Sequence, residues 1–160
     1  LIKTIDVVNL PVQFIDCYED HRIIMEADLA RSFAREYRDG KSRLSAVLVE
    51  MIERGQKVAD QEYRSAVGKI KDYSEYLDEM FDEYEAVLTP STPGAAPAGL
   101  EHTGSPMMNT IWTLCGTPAI NIPLLQSPEG LPVGVQLVGA KGDDARLFRT
   151  GRWLLELLDD

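Results

Sequence analysis

Apolar positions along this chain recur at two spacings, one helical and one strand-like, and between them they divide it into elements. The apolar run from Ile5 to Leu10 predicts an opening strand, which Pro11 cannot continue. From about Asp16 to Tyr37, Ile23, Ile24, Ala27, Ala30, Ala34 and Tyr37 fall at helical steps and predict one amphipathic helix. "RDGKS" ends it, and a second helix is expected from about Arg43 to Arg54, with Gly55 as a left-handed cap. Asp60 then caps a longer helix whose stripe is Tyr63, Val67, Ile70, Leu77, Phe81 and Tyr84.

The second half is strand-rich. Ala86 to Thr89 reads as a short strand, Met107 to Leu114 as a short helix ended by Gly116 and Pro118, and Ala119 to Leu124 and Val133 to Val138 as two strands. These strands lack polar alternation, which predicts burial on both faces. Asp143 caps a last helix carrying Leu147, Phe148, Leu154, Leu155 and Leu158. The stretch from Pro90 to Pro106 is a long Pro/Gly/Ser/Thr/Ala loop without periodicity, and a loop of that length in a compact domain usually has a job, such as lining a pocket. Helices beside apolar strands make the class α/β.

Charge and composition narrow the function. The 160 residues are 44% hydrophobic, as in a globular domain, and carry a net charge of −10, which disfavours direct nucleic-acid or anionic-membrane binding. No run approaches the ~20 apolar residues of a membrane span, and no basic-then-apolar leader opens the chain. Cys17 and Cys115 match no metal-knuckle spacing and read as small buried hydrophobes in a reducing compartment. The expected location is cytoplasmic. A start at Leu1 suggests a fragment or a processed chain.

Each candidate chemistry in the residues is incomplete. Gly134, Gly139 and Lys141 resemble a phosphate-binding loop, but the lysine is one residue late, no Ser or Thr follows, and "VQLV" between the glycines is a strand. Cys17 and His21 stand at i, i+4, yet nothing nearby completes a triad or a metal shell, so they read as a packing pair. Ser91, His102 and Ser105 share the long loop without a GxSxG elbow or a Ser-x-x-Lys, and His102 reads as a surface residue. Glu75, Asp78, Glu79, Asp82 and Glu83 form a solvated helix face rather than a metal site. No metal or cofactor is expected.

Three blocks carry a resemblance. "YEAVLTPSTPGAAP", "TGSPMMNTIWTLCGTPAINIPL" and "GLPVGVQLVGAKGDDARLF", in this order and spacing, resemble the C-terminal third of amidase signature hydrolases, with Glu85 where the family usually has Asp. The likeness extends from roughly Ile5 to Leu158. It implies a portion of a mixed β-sheet covered by helices, residues 1–84 mainly helical and 85–160 strand-rich with a terminal helix. Pro118 and Pro123 would bracket one strand and Pro132 start the next, while Gly116, Gly130 and Gly134 permit tight turns and close approach.

The resemblance also implies an activity: hydrolysis of a carboxamide to acid and ammonia by a Ser nucleophile, a bridging Ser and a Lys base. No stretch here matches those motifs, so this chain alone is expected to be inactive. What carries over is the acyl side of the substrate pocket: Thr103, Gly104, Met107, Asn109, Thr110 and Trp112. The A subunits of tRNA-dependent amidotransferases place an Asp near the start of this helix, where Pro106 and Met107 stand here, and that departure favours a general amidase. The expected partners are a small-molecule amide and the preceding part of the same domain. Homo-oligomerisation stays open, as does the alternative of a non-catalytic interaction module.

Overall fold

The computed structural model describes residues 5–159. Among the described residues, six α-helices and three strands follow one another as α1 (Cys17–Ser32), α2 (Ala34–Gly40), α3 (Ala46–Gly55), α4 (Asp60–Glu83), β1 (Val87–Pro90), α5 (Met107–Cys115), β2 (Ala119–Gln126), β3 (Pro132–Val138) and α6 (Asp144–Asp159). The strands form one sheet in the order β1-β3-β2, antiparallel throughout. Thr89 and Asn121 both stand opposite Gln136, and Val87 and Ala119 both stand opposite Val138.

That register sorts the side chains between two layers, because neighbours along a strand point to opposite faces. Val138 joins Phe14, Cys17, Tyr73, Leu77, Phe81, Ile111 and Trp112 in the main core, so α1, α4 and α5 cover this face. Leu137 points the other way, to Ile122 and to Leu147 of α6. No described helix is long and apolar enough to cross a membrane.

Several local expectations are corrected. Residues 5–10 pair with no strand; Ile5 and Val7 are exposed, and the Tyr84 hydroxyl reaches Asp6 at 3.4 Å. The sheet lies elsewhere, so an apolar run there has no ladder to join. The first predicted helix divides at Phe33, where ψ is 14°, and α2 turns Tyr37 toward Glu53, with its hydroxyl 2.8 Å from the carboxylate. Along α4 the buried seam is Ala66, Tyr73, Leu77, Met80 and Phe81, while Val67 is exposed. Tyr63 instead lies beneath the Arg31 guanidinium, 4.1 Å from the ring centre. Asp60 is the first residue of α4, and Ala59 holds the cap position.

Gly55 is not a left-handed cap. It is the last residue of α3, outside the set of positive-φ glycines, and its missing side chain makes room for the Glu26 backbone of α1. Gly116 is the residue that adopts the left-handed turn, at φ 68°, and the Thr117 amide then bonds the Trp112 carbonyl at 3.0 Å.

The strands are also less covered than expected. Ile122 is the buried residue of β2, whereas Leu124 and Leu125 are exposed. Strand β2 lies at the sheet edge and runs beyond Pro123, which occupies an irregularity between Ile122 and Leu125 instead of ending the strand. An edge strand with a bulge is where a residue without an N–H is tolerated.

Buried charge shapes the helical half. The core-facing edge of α1 carries Asp20 and Glu26 among Cys17, Ile23, Ala27 and Ala30. Glu26 accepts from Arg22 at 2.9 Å and from Arg54 at 2.6 and 2.9 Å. Asp20 accepts from Tyr73 at 2.6 Å and Lys69 at 3.1 Å. Burial and the Asp20 bond together push the Tyr73 phenol well above its ordinary value.

Candidate functional site

The loop that follows β1 is anchored at both ends. The Ser91 amide donates to the Gly134 carbonyl at 3.0 Å, one step beyond the β1–β3 ladder. At the far end Met107 opens α5, its amide 3.3 Å from the Ser105 hydroxyl, and Thr110 returns its hydroxyl to the Pro106 carbonyl at 3.3 Å. Asn109 joins the two ends by donating to the Ser91 carbonyl at 3.3 Å.

Beneath them lies Gln136, only 2% exposed. Its side-chain nitrogen stands 2.8 Å from the Met108 carbonyl, 3.0 Å from the Thr89 hydroxyl and 3.2 Å from the Pro90 carbonyl. A β-carbon on Gly134 would overlap the Asn121 and Ser91 side chains, so any larger residue there would have to displace them. Thr89, Ser91, Asn121 and Gln136 thus gather at the end of the α5-facing sheet surface where α5 begins.

The six residues expected to line an acyl pocket fall into different settings. Thr103 and Gly104 are exposed in the loop, and Met107 is 43% exposed at the helix start. Asn109 is half-buried and Thr110 buried within the first turns, while Trp112 belongs to the main core. A groove of about 370 Å³ runs along α5 to the start of α6, lined by Asn109, Trp112, Thr113, Thr117, Ala119 and Asp144 among others. Asn109 and Trp112 lie on it; Thr103, Gly104, Met107 and Thr110 do not.

No activated nucleophile is assembled among the described residues. Cys17 is fully buried, and burial pushes its thiol up to about 11, the opposite of what a thiolate nucleophile needs. Burial also lowers the basicity of His21. No hydrogen bond among the described residues joins His102 to a serine, and no group of three His, Cys, Asp or Glu side chains is placed to hold a metal ion.

Gln136 is absent from the sequence-based set of site residues. Its signal is its position: a lone amide in the apolar run of β3, facing a buried layer where every polar atom needs a partner.

The described residues thus make a helix-covered antiparallel sheet of α/β class, with a polar cluster where α5 begins and a groove running from α5 to the start of α6. The family model for Amidase matches residues 11–148, and the chain belongs to the amidase family. Over 81 residues, 46% of this chain, it is 38% identical to the A subunit of glutamyl-tRNA(Gln) amidotransferase from Oceanobacillus iheyensis, 17% of whose length is covered. An A subunit of the same enzyme from Clostridium acetobutylicum is 27% identical over 146 residues, 87% of this chain and 29% of that protein. A crystal structure of an amidase superposes with a TM-score of 0.78 at 26% identity, covering 88% of this chain and 35% of that one. The chain therefore spans less than a third of the length of these two curated relatives.

Proposed function

We propose that this chain is the C-terminal portion, residues 1–160, of a single amidase domain that hydrolyses a carboxamide, R–CO–NH2 + H2O, to the acid and ammonia. The observation that carries this reading is the family match over residues 11–148; among the described residues no nucleophile–base pair is assembled, with Cys17 buried and its thiol pushed up. A preceding portion of the protein supplies the Ser/Ser/Lys machinery, as the resemblance implies. Thr103, Gly104, Met107, Asn109, Thr110 and Trp112 contribute the acyl side of the substrate pocket; of these, Asn109 and Trp112 also line the groove along α5. The protein works in the cytoplasm.

The curated relatives favour a second reading. Two of them are A subunits of glutamyl-tRNA(Gln) amidotransferase, so the intact protein would instead release ammonia for a tRNA-linked acyl group, together with partner subunits. Pro106 and Met107, standing where the resemblance places an Asp in those relatives, favour the free-standing amidase.

Ammonia release decides between them. The intact protein, incubated with benzamide and with acetamide in the absence of tRNA and other subunits, should liberate ammonia. Release from glutamine alone, and only with charged tRNA and partner subunits present, would establish the second reading.

A further inference from the structure

We infer that Gln136 is a positioning residue for substrate selectivity: its buried amide fixes the first turn of α5 against the end of β1. The inference rests on the proposal that α5 lines the acyl side of an amidase pocket, and it concerns a residue that touches no substrate itself.

Geometry sets the orientation of that amide. The Pro90 and Met108 carbonyls can only accept, so the nitrogen of the Gln136 side chain must face them. Two N–H groups serve three oxygens, at 2.8, 3.0 and 3.2 Å, and the Gln136 side chain that carries them is only 2% exposed. One of these oxygens belongs to α5, between Met107 and Asn109; the others belong to the last two residues of β1. A single side chain from the central strand therefore couples the two segments between which the long loop is strung. Asn109, bonded to the Ser91 carbonyl, is the only other described side chain joining α5 to the Thr89–Ser91 stretch by a hydrogen bond.

Removing the amide takes away the one donor shared by the Met108 carbonyl and the end of β1, so the first turn of α5 is free to shift against Thr89 and Pro90. Displacement by a fraction of an ångström at Met107 and Asn109 alters the fit of a bulky acyl group far more than that of a small one. The groups bonded to Gln136, those of Thr89, Pro90 and Met108, do not titrate. A carboxyl substituted at this position would therefore be the titrating group at the junction. Protonated, it donates one O–H to a carbonyl; ionised, it presents negative charge to both carbonyls, which also raises its pKa.

The test uses the intact protein and the ratio of kcat/KM for benzamide to that for acetamide, in which the shared chemical machinery cancels. For Gln136→Met the ratio should change at least about fivefold. For Gln136→Glu it should lie near the parent value at about pH 5 and depart from it at least about fivefold by about pH 8, while the parent ratio stays flat. Thermal melting at both pH values identifies variants that do not fold, and the comparison is made on Gln136→Glu where it melts cooperatively. A pH-independent ratio for a folded Gln136→Glu, or equal losses for both substrates in Gln136→Met, overturns the inference. Met107→Ala separates the two ideas: if it shifts the ratio and the Gln136 variants do not, the inference falls and the pocket reading stands; if neither position shifts it, both fall.

Discussion

Gly55 at the end of α3 lies directly against the Glu26 backbone of α1, so that a β-carbon built on the glycine would overlap the Glu26 carbonyl. Backbone, not a flexible side-chain end, occupies the space. Gly55→Ala must separate the two helices, and overpacking of this kind costs about 1–3 kcal/mol. The expected result is a lower urea midpoint for the intact protein with an unchanged m-value. A neutral or stabilising alanine would show that α1 and α3 are not held in this contact.

The Glu26 side chain is nearly inaccessible, while its partners Arg22 and Arg54 are about half-exposed. The carboxylate is therefore the charge that must stay compensated. Replacing Arg22 and Arg54 together by alanine, which strips the buried Glu26 of both partners, should cost about 3 kcal/mol or more, whereas Arg54→Ala alone, which leaves Arg22 in place, should cost much less. Equal losses in chemical denaturation would contradict the burial assigned to Glu26.

Cys17 links stability to alkaline pH. Burial first, then the neighbouring Cys115, Asp20 and Asp16, raises its thiol from 9.0 to about 11. Between about pH 9 and pH 11 the unfolded chain has released a proton that the folded chain still holds, so unfolding gains as pH rises. The contribution is whole below about pH 9 and is lost progressively toward about pH 11. Cys17→Ala should flatten that part of the stability profile, read as urea midpoints across the range. In the native protein at about pH 8 the thiol should resist iodoacetamide.

Met107 is 43% exposed at the start of α5. If it meets the acyl group, Met107→Ala in the intact protein removes contacts worth roughly 1–3 kcal/mol from a bulky substrate and almost none from a small one. The benzamide-to-acetamide ratio of kcat/KM should then change about tenfold. An equal loss for both points to folding; no change moves the pocket away from this turn.

Leu88, Leu125, Phe148, Leu157 and Leu158 are all more than half exposed, and β1 and β2 leave two open sheet edges. The 160-residue chain by itself should self-associate, by light scattering, and hydrolyse no amide. A monodisperse monomer that melts cooperatively would make it an autonomous domain, and turnover by the pure chain would place a nucleophile within it.

Much of this arrangement is legible in the sequence. Apolar periodicity locates α3, α5, α6 and the two later strands, because those elements bury one side and signal it. It fails where a buried face is polar: Asp20 and Glu26 occupy core positions of α1 that resemble solvated acids until Lys69, Tyr73 and the two arginines are seen around them. It fails again for residues 5–10, since a strand-like pattern does not reveal whether a neighbouring strand exists. The six candidate pocket residues come from resemblance, and the structure brings Asn109 and Trp112 to one groove. Gln136 shows in the sequence only as a lone amide in an apolar strand; its partners, mostly backbone atoms distant along the chain, are recorded by no spacing rule.

The strand order also has a consequence for biosynthesis. Strand β3, the last of these three along the chain, lies between the other two, so β1 and β2 leave the ribosome without each other as partners. Both ladders, and the seat of α5 on Gln136, form only when residues 132–138 arrive. A ribosome stalled before that point would hold helices able to pack but a sheet with no middle. Until residues 132–138 pair with them, β1 and β2 each present an open backbone edge, the kind of exposure that favours misassembly during synthesis.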